Sequence, residues 1–244
     1  MRRVPASRAR PRPRALTPRA EAAALRRVRE ELHNAGLLLG VDRDLPNVFR
    51  TVTGRLPTGS WWGDIDSHLV YAVLARLGQE EGILRLRLIN AKWTYVHRRL
   101  WTVVLGAVGG RATWQRHGLS ARGRSLLERV ARFGVVDLNE SAERGGLSLK
   151  QAGDAARELE RRILVLSYEV HTPRGWHTKR LESWETWRRR HRVGRSAVPG
   201  DRARARLEAA ADAMTPAGAA PARLPWQRSL TAPRKPRAAR RITK

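Results

Sequence analysis

The chain has 244 residues, 41% of them apolar, with 49 Lys and Arg against 22 Asp and Glu, a net charge of +27 and no cysteine. That length suits one large domain or two small ones, and the absence of thiols excludes disulfides, thiolate metal sites and cysteine nucleophiles. The charge favours a polyanionic partner, nucleic acid before an anionic membrane surface.

The charge is uneven. Residues 1–20 carry seven arginines and no acid, and residues 188–244 carry sixteen basic residues against three acidic ones. Part of this reflects a drift towards Ala, Arg, Pro and Gly. Arg2-Arg3 is followed by Pro5, Pro11 and Pro13 instead of an apolar run, so no export signal is expected. The longest apolar run, Trp101 to Val108, is far short of the ~20 residues that span a bilayer. No membrane partner is expected, and the chain is placed in the cytoplasm of a bacterium, nucleoid-associated if it binds DNA.

Residues 1–17 read as a disordered basic arm, too poor in apolar side chains to fold. Thr17-Pro18 opens a helix, since proline at the first helical position loses no hydrogen bond, and Gly36 stops it. Ala24, Leu25, Val28 and Leu32 form its apolar face. A short apolar segment, Leu37 to Leu39, follows, then a short helix within Leu45 to Thr53 closed by Gly54.

Ser60-Trp61-Trp62-Gly63 leads into a helix with Leu69, Val70, Val73, Leu74 and Leu77. The tryptophans are expected to plug the core against that helix; the alternative is a stacking platform for a nucleobase. Asp64, Asp66 and His68 just ahead suit helix capping or, alternatively, a divalent cation. Leu84 to Ile89 alternates, Asn90-Ala91-Lys92 turns, and Trp93 to His97 returns: a hairpin with leucines inward and Arg85 and Arg87 outward. Arg98 to Val108 reads as a helix. Residues 18–110 are thus a helical module with a β-hairpin, and 111–118 a connector. The helix-then-hairpin unit at 69–97 admits a degenerate second copy of the unit described next, although no sequence repeat links the two.

In residues 119–187, Ser120 caps a helix carrying Leu126, Leu127 and Val130 and stopped by Gly134, with Gly123 inside it at a cost of about 1 kcal/mol. Val135 to Leu138 suits a short strand and Asn139 to Gly146 a second helix or tight loop. Ser148 caps the next helix, whose apolar face is Leu149, Ala152, Ala156, Leu159 and Ile163. Two strands, Ile163 to Val170 and Trp176 to Ser183, then flank a reversal at His171-Thr172-Pro173-Arg174-Gly175. Residues 188–244, with five prolines beyond Pro199, read as a mostly disordered basic tail in which Asp201 to Met214 can form a transient helix.

Residues 119–187 resemble a winged helix-turn-helix DNA-binding domain, so the expected fold class is α+β with that domain after the N-terminal module. The resemblance implies that helix 148–162 enters the major groove and that hairpin 163–183 is the wing. It assigns Lys150, Gln151, Arg157 and Arg161 on the helix, Arg174, Lys179 and Arg180 on the wing, and Arg188, Arg189 and Arg190 after it to nucleic-acid contact. His171 and His177 flank the wing turn. Asp154 and Glu158 on the same helix repel phosphate, so modest sequence readout is expected. The whole chain is similar to a group of bacterial proteins without an assigned activity, through Ser60-Trp61-Trp62-Gly63, Val96 to Trp101 and the His171 to Trp184 wing. Winged-helix DNA glycosylases are a weaker comparison: their Gln-x-Gln or Gln-x-Asp motif does not occur, and Gln115 and Gln151 stand alone.

The function expected is therefore a non-enzymatic winged-helix protein that binds nucleic acid through phosphates. Double-stranded DNA is the first partner and RNA the second; no cofactor and no metal are expected. The alternative is a DNA-processing enzyme, nuclease or glycosylase-like, with a site near Asp64, His68 and His97.

Overall fold

The structure, a computed structural model, describes residues 16–57, 59–109, 112–171, 177–196 and 198–227. It is a mixed α+β fold with two small three-stranded antiparallel sheets. Among the described residues no helix is long and apolar enough to cross a membrane. Residues 1–15 of the basic arm and 228–244 of the tail lie outside the described residues.

In the N-terminal half, α1 (Pro18–Ala35) starts where Thr17 Oγ1 accepts the Ala20 amide and ends at Gly36, whose φ of 81° only glycine adopts cheaply. β1 (Leu37–Leu39), α2 (Val48–Thr53) and α3 (Ser67–Leu77) follow, then β2 (Ile83–Leu86) and β3 (Thr94–His97). β3 lies between β1 and β2. The two-residue period of the strands divides the sheet's side chains. Leu38 and Tyr95 join the core under α1, α2 and α3. Leu37, Leu39, Leu84, Leu86 and Val96 face the other way, towards α4 (Trp101–Val108).

The connector contains a short helix, α5 (Thr113–Arg116), and Gln115 within it is fully buried. Beyond it come α6 (Ala121–Phe133), β4 (Val135–Asp137), α7 (Leu138–Arg144), α8 (Leu149–Arg161), β5 (Leu166–His171), β6 (His177–Glu182) and α9 (Trp184–Arg190). Here β6 lies between β4 and β5. Leu126, Val130, Val136, Ala152, Ala155, Ala156, Leu159 and Leu181 form the core of this half. Leu149 departs from its expected place: as the first residue of α8 it is exposed, and Ala155 takes part in the buried face instead.

The two halves share one order: helix, strand, helix, helix, strand, strand, helix, with the first strand beside the third. Their registers can be matched. Leu84 and Leu37 both pair with Val96, as Leu166 and Val135 both pair with Glu182. Next to them the His97 amide donates to Gly36 O, and the Ser183 amide donates to Gly134 O. Gly36 and Gly134 are the helix-ending residues of α1 and α6, both at positive φ. Counting from these anchors, Asp66 corresponds to Ser148, Leu77 to Leu159 and Trp101 to Trp187.

The halves are welded by a core of their own. Ile163, Leu166 and Trp187 pack with Leu84, Val96, Trp101 and the buried face of α4. The expected disordered tail is overturned for the described part of it. α10 (Gly200–Ala213) lies along α4 and buries Ala203, Leu207 and Ala211; Met214, Ala222 and Leu224 continue into the same core. Asn90 and Arg223 exchange hydrogen bonds, the Asn90 amide to Arg223 O at 2.9 Å and the Arg223 amide to Asn90 Oδ1 at 3.1 Å. The apolar residues are widely spaced among Ala, Arg and Pro, which hid this face in the composition. Bare Gly106 makes the approach possible, since a Cβ there would meet Val198 O at 2.7 Å.

Candidate nucleic-acid interface

α8 is fixed at both ends by its own side chains. Ser148 Oγ accepts the Gln151 amide while Gln151 Oε1 accepts the Ser148 amide, a reciprocal cap. Gln151 is therefore committed to the helix start. Towards the other end, Glu158 is tied to α6: its carboxylate accepts from Ser120 Oγ at 2.6 Å and from the Ser120 amide at 3.1 Å. Gly123, costly inside a helix, is explained by this contact, because a Cβ would sit 2.6 Å from Glu158 Oε2. Arg162, just past α8, donates to the carbonyls of Gln115 and His117, and Gln115 Nε2 donates to Arg162 O and Ile163 O.

Beyond the exposed Leu149 at its start, the residues left facing water on α8 are Lys150, Asp154, Arg157 and Arg161, at the four- and three-residue steps of a single stripe. The Lys150 side chain is 88% exposed. Arg157 Nη2 donates to Asp154 Oδ1 at 2.5 Å, and Lys150 Nζ is 3.8 Å from Asp154 Oδ2. Arg157 first, with Lys150 and Arg161 nearby, holds the Asp154 carboxyl below its usual range. The stripe thus presents three cations around one internal anion, net positive and open to solvent.

The other expected contact residues divide. Arg180 and Arg189 are exposed. Lys179 is engaged: its Nζ lies 2.7 Å from Glu160 Oε1. Glu160 also accepts from Arg87 Nε at 3.1 Å, so one buried carboxylate on α8 holds β6 and the N-terminal hairpin together. Burial alone would raise its pKa, but Lys179, Ser167 and Arg87 together hold it below the usual glutamate range. Arg190 donates to Glu182 and lies over the Tyr168 ring. Arg188 is bound to Glu185 and to Val193 O. Lys179, Arg188 and Arg190 are therefore structural cations first. Arg174 lies outside the described residues; His171 and His177 pair across β5 and β6 at the end of the described ribbon.

Glu160 and Arg55 escaped the sequence reading. Glu160 follows Ala156 by four residues, so the helical period itself pointed it inward. Arg55 has no such signal: it reaches back from the loop after α2 to clamp Asp64 Oδ2 and Oδ1 at 2.8 and 2.7 Å and Asp66 Oδ2 at 2.9 Å.

Of the residues of the alternative enzyme site, Asp64 and Asp66 are engaged by this clamp. His97 pairs with Ile83, beyond the C-terminal end of α3, whereas Asp64, Asp66 and His68 lie at its N-terminal end. Eleven helical residues separate the two ends by about 16 Å. His97 instead meets His33 edge-on at 5.0 Å, and burial, with His33, Arg99 and Arg98 nearby, lowers its pKa. Among the described residues no group of three or more His, Asp or Glu side chains is placed to hold a metal ion.

Comparison of the chain with protein-family models, with curated proteins and with solved structures finds no match.

Proposed function

We propose that residues 119–187 act as a winged helix-turn-helix unit that binds double-stranded DNA, with α8 in the major groove and the β5–β6 ribbon as wing. The element order, with α8 running into the β5–β6 hairpin and the first strand beside the third, supports this reading. The observation that carries the reading is the uncovered cationic stripe Lys150, Arg157 and Arg161. The opposite faces of α8 are used up by the core, by Ser120 and by Arg87, so this one face is kept for a partner. Arg180 and Arg189 add exposed cations, and Asp154 inside the stripe limits how well bases are read. Binding is then governed by phosphates, with modest sequence preference.

Salt titration of a blunt duplex tests this. Each phosphate contact contributes about 0.9 to the slope of log affinity against log salt. Replacing Lys150, Arg157 and Arg161 together by Ala is expected to flatten that slope by about 2 to 3. A slope near zero in the unsubstituted protein, or one unchanged in the triple variant, removes α8 from the interface. Equal affinity for duplex RNA would shift the partner from DNA to duplexes in general.

A further inference from the structure

Trp61 packs as expected against the core beneath α1 to α3, but Trp62 does not. Its side chain is 62% exposed, its ring stacked on Trp61 with centroids 3.9 Å apart and planes 30° apart. Tyr71, on the outer face of α3 and 51% exposed, brings its ring to 5.7 Å from Trp62. Burying an indole is among the largest apolar gains a chain can make, and here one is held at the surface by a second indole that fixes its plane.

We propose that Trp62 and Tyr71 form a stacking platform for unpaired bases, on a strand that continues from the duplex engaged by α8; this rests on the reading given under Proposed function. Three observations favour a nucleic-acid strand over a protein partner. The chain carries +27, so its field gathers polyanions. The carboxylates closest in sequence to the platform, Asp64 and Asp66, are both buried against the Arg55 guanidinium, which offsets one of their two charges and weakens their repulsion of a phosphate. Finally, α3 is the counterpart of α8 in the repeated order. By the match of Asp66 to Ser148, His68 stands for Lys150, Tyr71 for Gly153 and Ala75 for Arg157. The same outer face thus exchanges phosphate-seeking cations for π surface, which suits bases that have left the helix. Stacking on aromatic side chains is tolerant of sequence.

The test compares the full chain on a blunt duplex and on the same duplex with a single-stranded oligo-dT extension on either strand, reading affinity and tryptophan fluorescence. One extension is expected to tighten binding about tenfold and quench fluorescence. Trp62→Ala should remove that advantage and leave blunt-duplex affinity unchanged, Tyr71→Ala should reduce it, and Trp62→Phe should retain part of it. Both side chains are exposed, and matching thermal melts establish that the variants fold. Equal affinity for the blunt and extended DNA, or an advantage that survives in the Trp62→Ala, Tyr71→Ala double variant, overturns the platform and leaves the duplex reading standing. No binding of the blunt duplex by the unsubstituted protein overturns the duplex reading, and the platform with it. Self-association in sedimentation that Trp62→Ala abolishes would give the patch to a second copy of the chain and overturn the proposal.

Discussion

Trp101 and Trp187 meet edge to face with ring centroids 4.9 Å apart. They are equivalent residues: each stands four positions after the amide, of His97 or of Ser183, that closes its half onto the glycine ending that half's first helix. Contact between equivalent residues brings the two halves together at matching positions, as the subunits of an isologous interface meet, although the edge-to-face rings themselves are not symmetric. β2 and β5, also equivalent and both sheet edges, approach each other beside it, and Leu84 and Leu166 share the same core. Each edge is thereby covered by the other half, which protects strands that otherwise invite pairing with foreign chains.

Because both indoles are buried at this junction, Trp187→Ala is expected to destabilise the protein by about 3–5 kcal/mol, as large-to-small core substitutions do. Trp187→Phe should cost less, since it keeps an aromatic edge against Trp101. Urea unfolding followed by circular dichroism measures both. If the Trp187→Ala midpoint matches that of the unsubstituted protein, the two halves are not joined through this pair.

Glu160 predicts a pH dependence. Its side chain is 2% exposed and its pKa is held low by Lys179 and Arg87 against the pull of burial. As pH falls, the unfolded chain takes up this proton first. The contribution to stability is thus full above the ordinary glutamate range and is lost as pH drops through the folded value. Glu182 behaves oppositely: burial raises its pKa, with Arg190 offsetting only part, so its contribution is full in acid and fades as pH rises. Glu160→Gln should cost roughly 3 kcal/mol at neutral pH by leaving two cations unpaired, and should flatten the acid limb of the stability curve. Glu182→Gln should steepen that limb. Chemical denaturation from neutral pH down through the carboxylate range decides it; parallel curves for Glu160→Gln and the unsubstituted protein would sink the assignment.

Much of this fold was legible in the sequence. Thr17-Pro18, Gly36, Gly54, Ser120, Gly134 and Ser148 mark helix ends in the structure, because caps act through local backbone geometry. The repeat was not legible, since equivalent positions diverge in chemistry. Val96 packs in the apolar core, whereas its counterpart Glu182 is buried against Arg190; Gly153 is replaced by Tyr71. The tail was misread because α10 forms on a surface supplied by distant residues of α4, and composition carries no record of that surface. At the candidate interface, the winged-helix resemblance pointed to Lys150, Arg157 and Arg161, but it could not show which basic residues already have carboxylate partners inside the fold.

Docking of α10 predicts an inversion of ordinary helix propensity. Gly106→Ala, in the middle of α4, would stabilise an isolated helix by about 1 kcal/mol. In this chain the new methyl meets Val198 O at 2.7 Å and Ala203 Cβ at 2.9 Å, and a backbone oxygen cannot swing aside. Gly106→Ala should therefore destabilise the full chain and expose the segment from residue 198 onwards to protease. Limited proteolysis reads the outcome directly: cleavage there no faster than in the unsubstituted protein means that α10 does not depend on a close approach to α4.

Lys179 and Arg180 are adjacent on β6 and project to opposite sides of the ribbon, yet the structure gives them different work. Lys179 is spent on Glu160, and Arg180 is exposed with no carboxylate in contact among the described residues. Lys179→Ala is therefore expected to lower stability by roughly 3 kcal/mol, because it strips one partner from a buried charge, and to leave the salt dependence of duplex binding nearly unchanged. Arg180→Ala should do the reverse: stability within about 0.5 kcal/mol of the unsubstituted protein, and a salt slope smaller by about 0.9. Charge alone treats the two substitutions as equal. A matched loss of duplex affinity in both variants, with stability unaffected in either, would mean that Lys179 leaves Glu160 for a phosphate and that the carboxylate bridge between the halves is not held in the bound state.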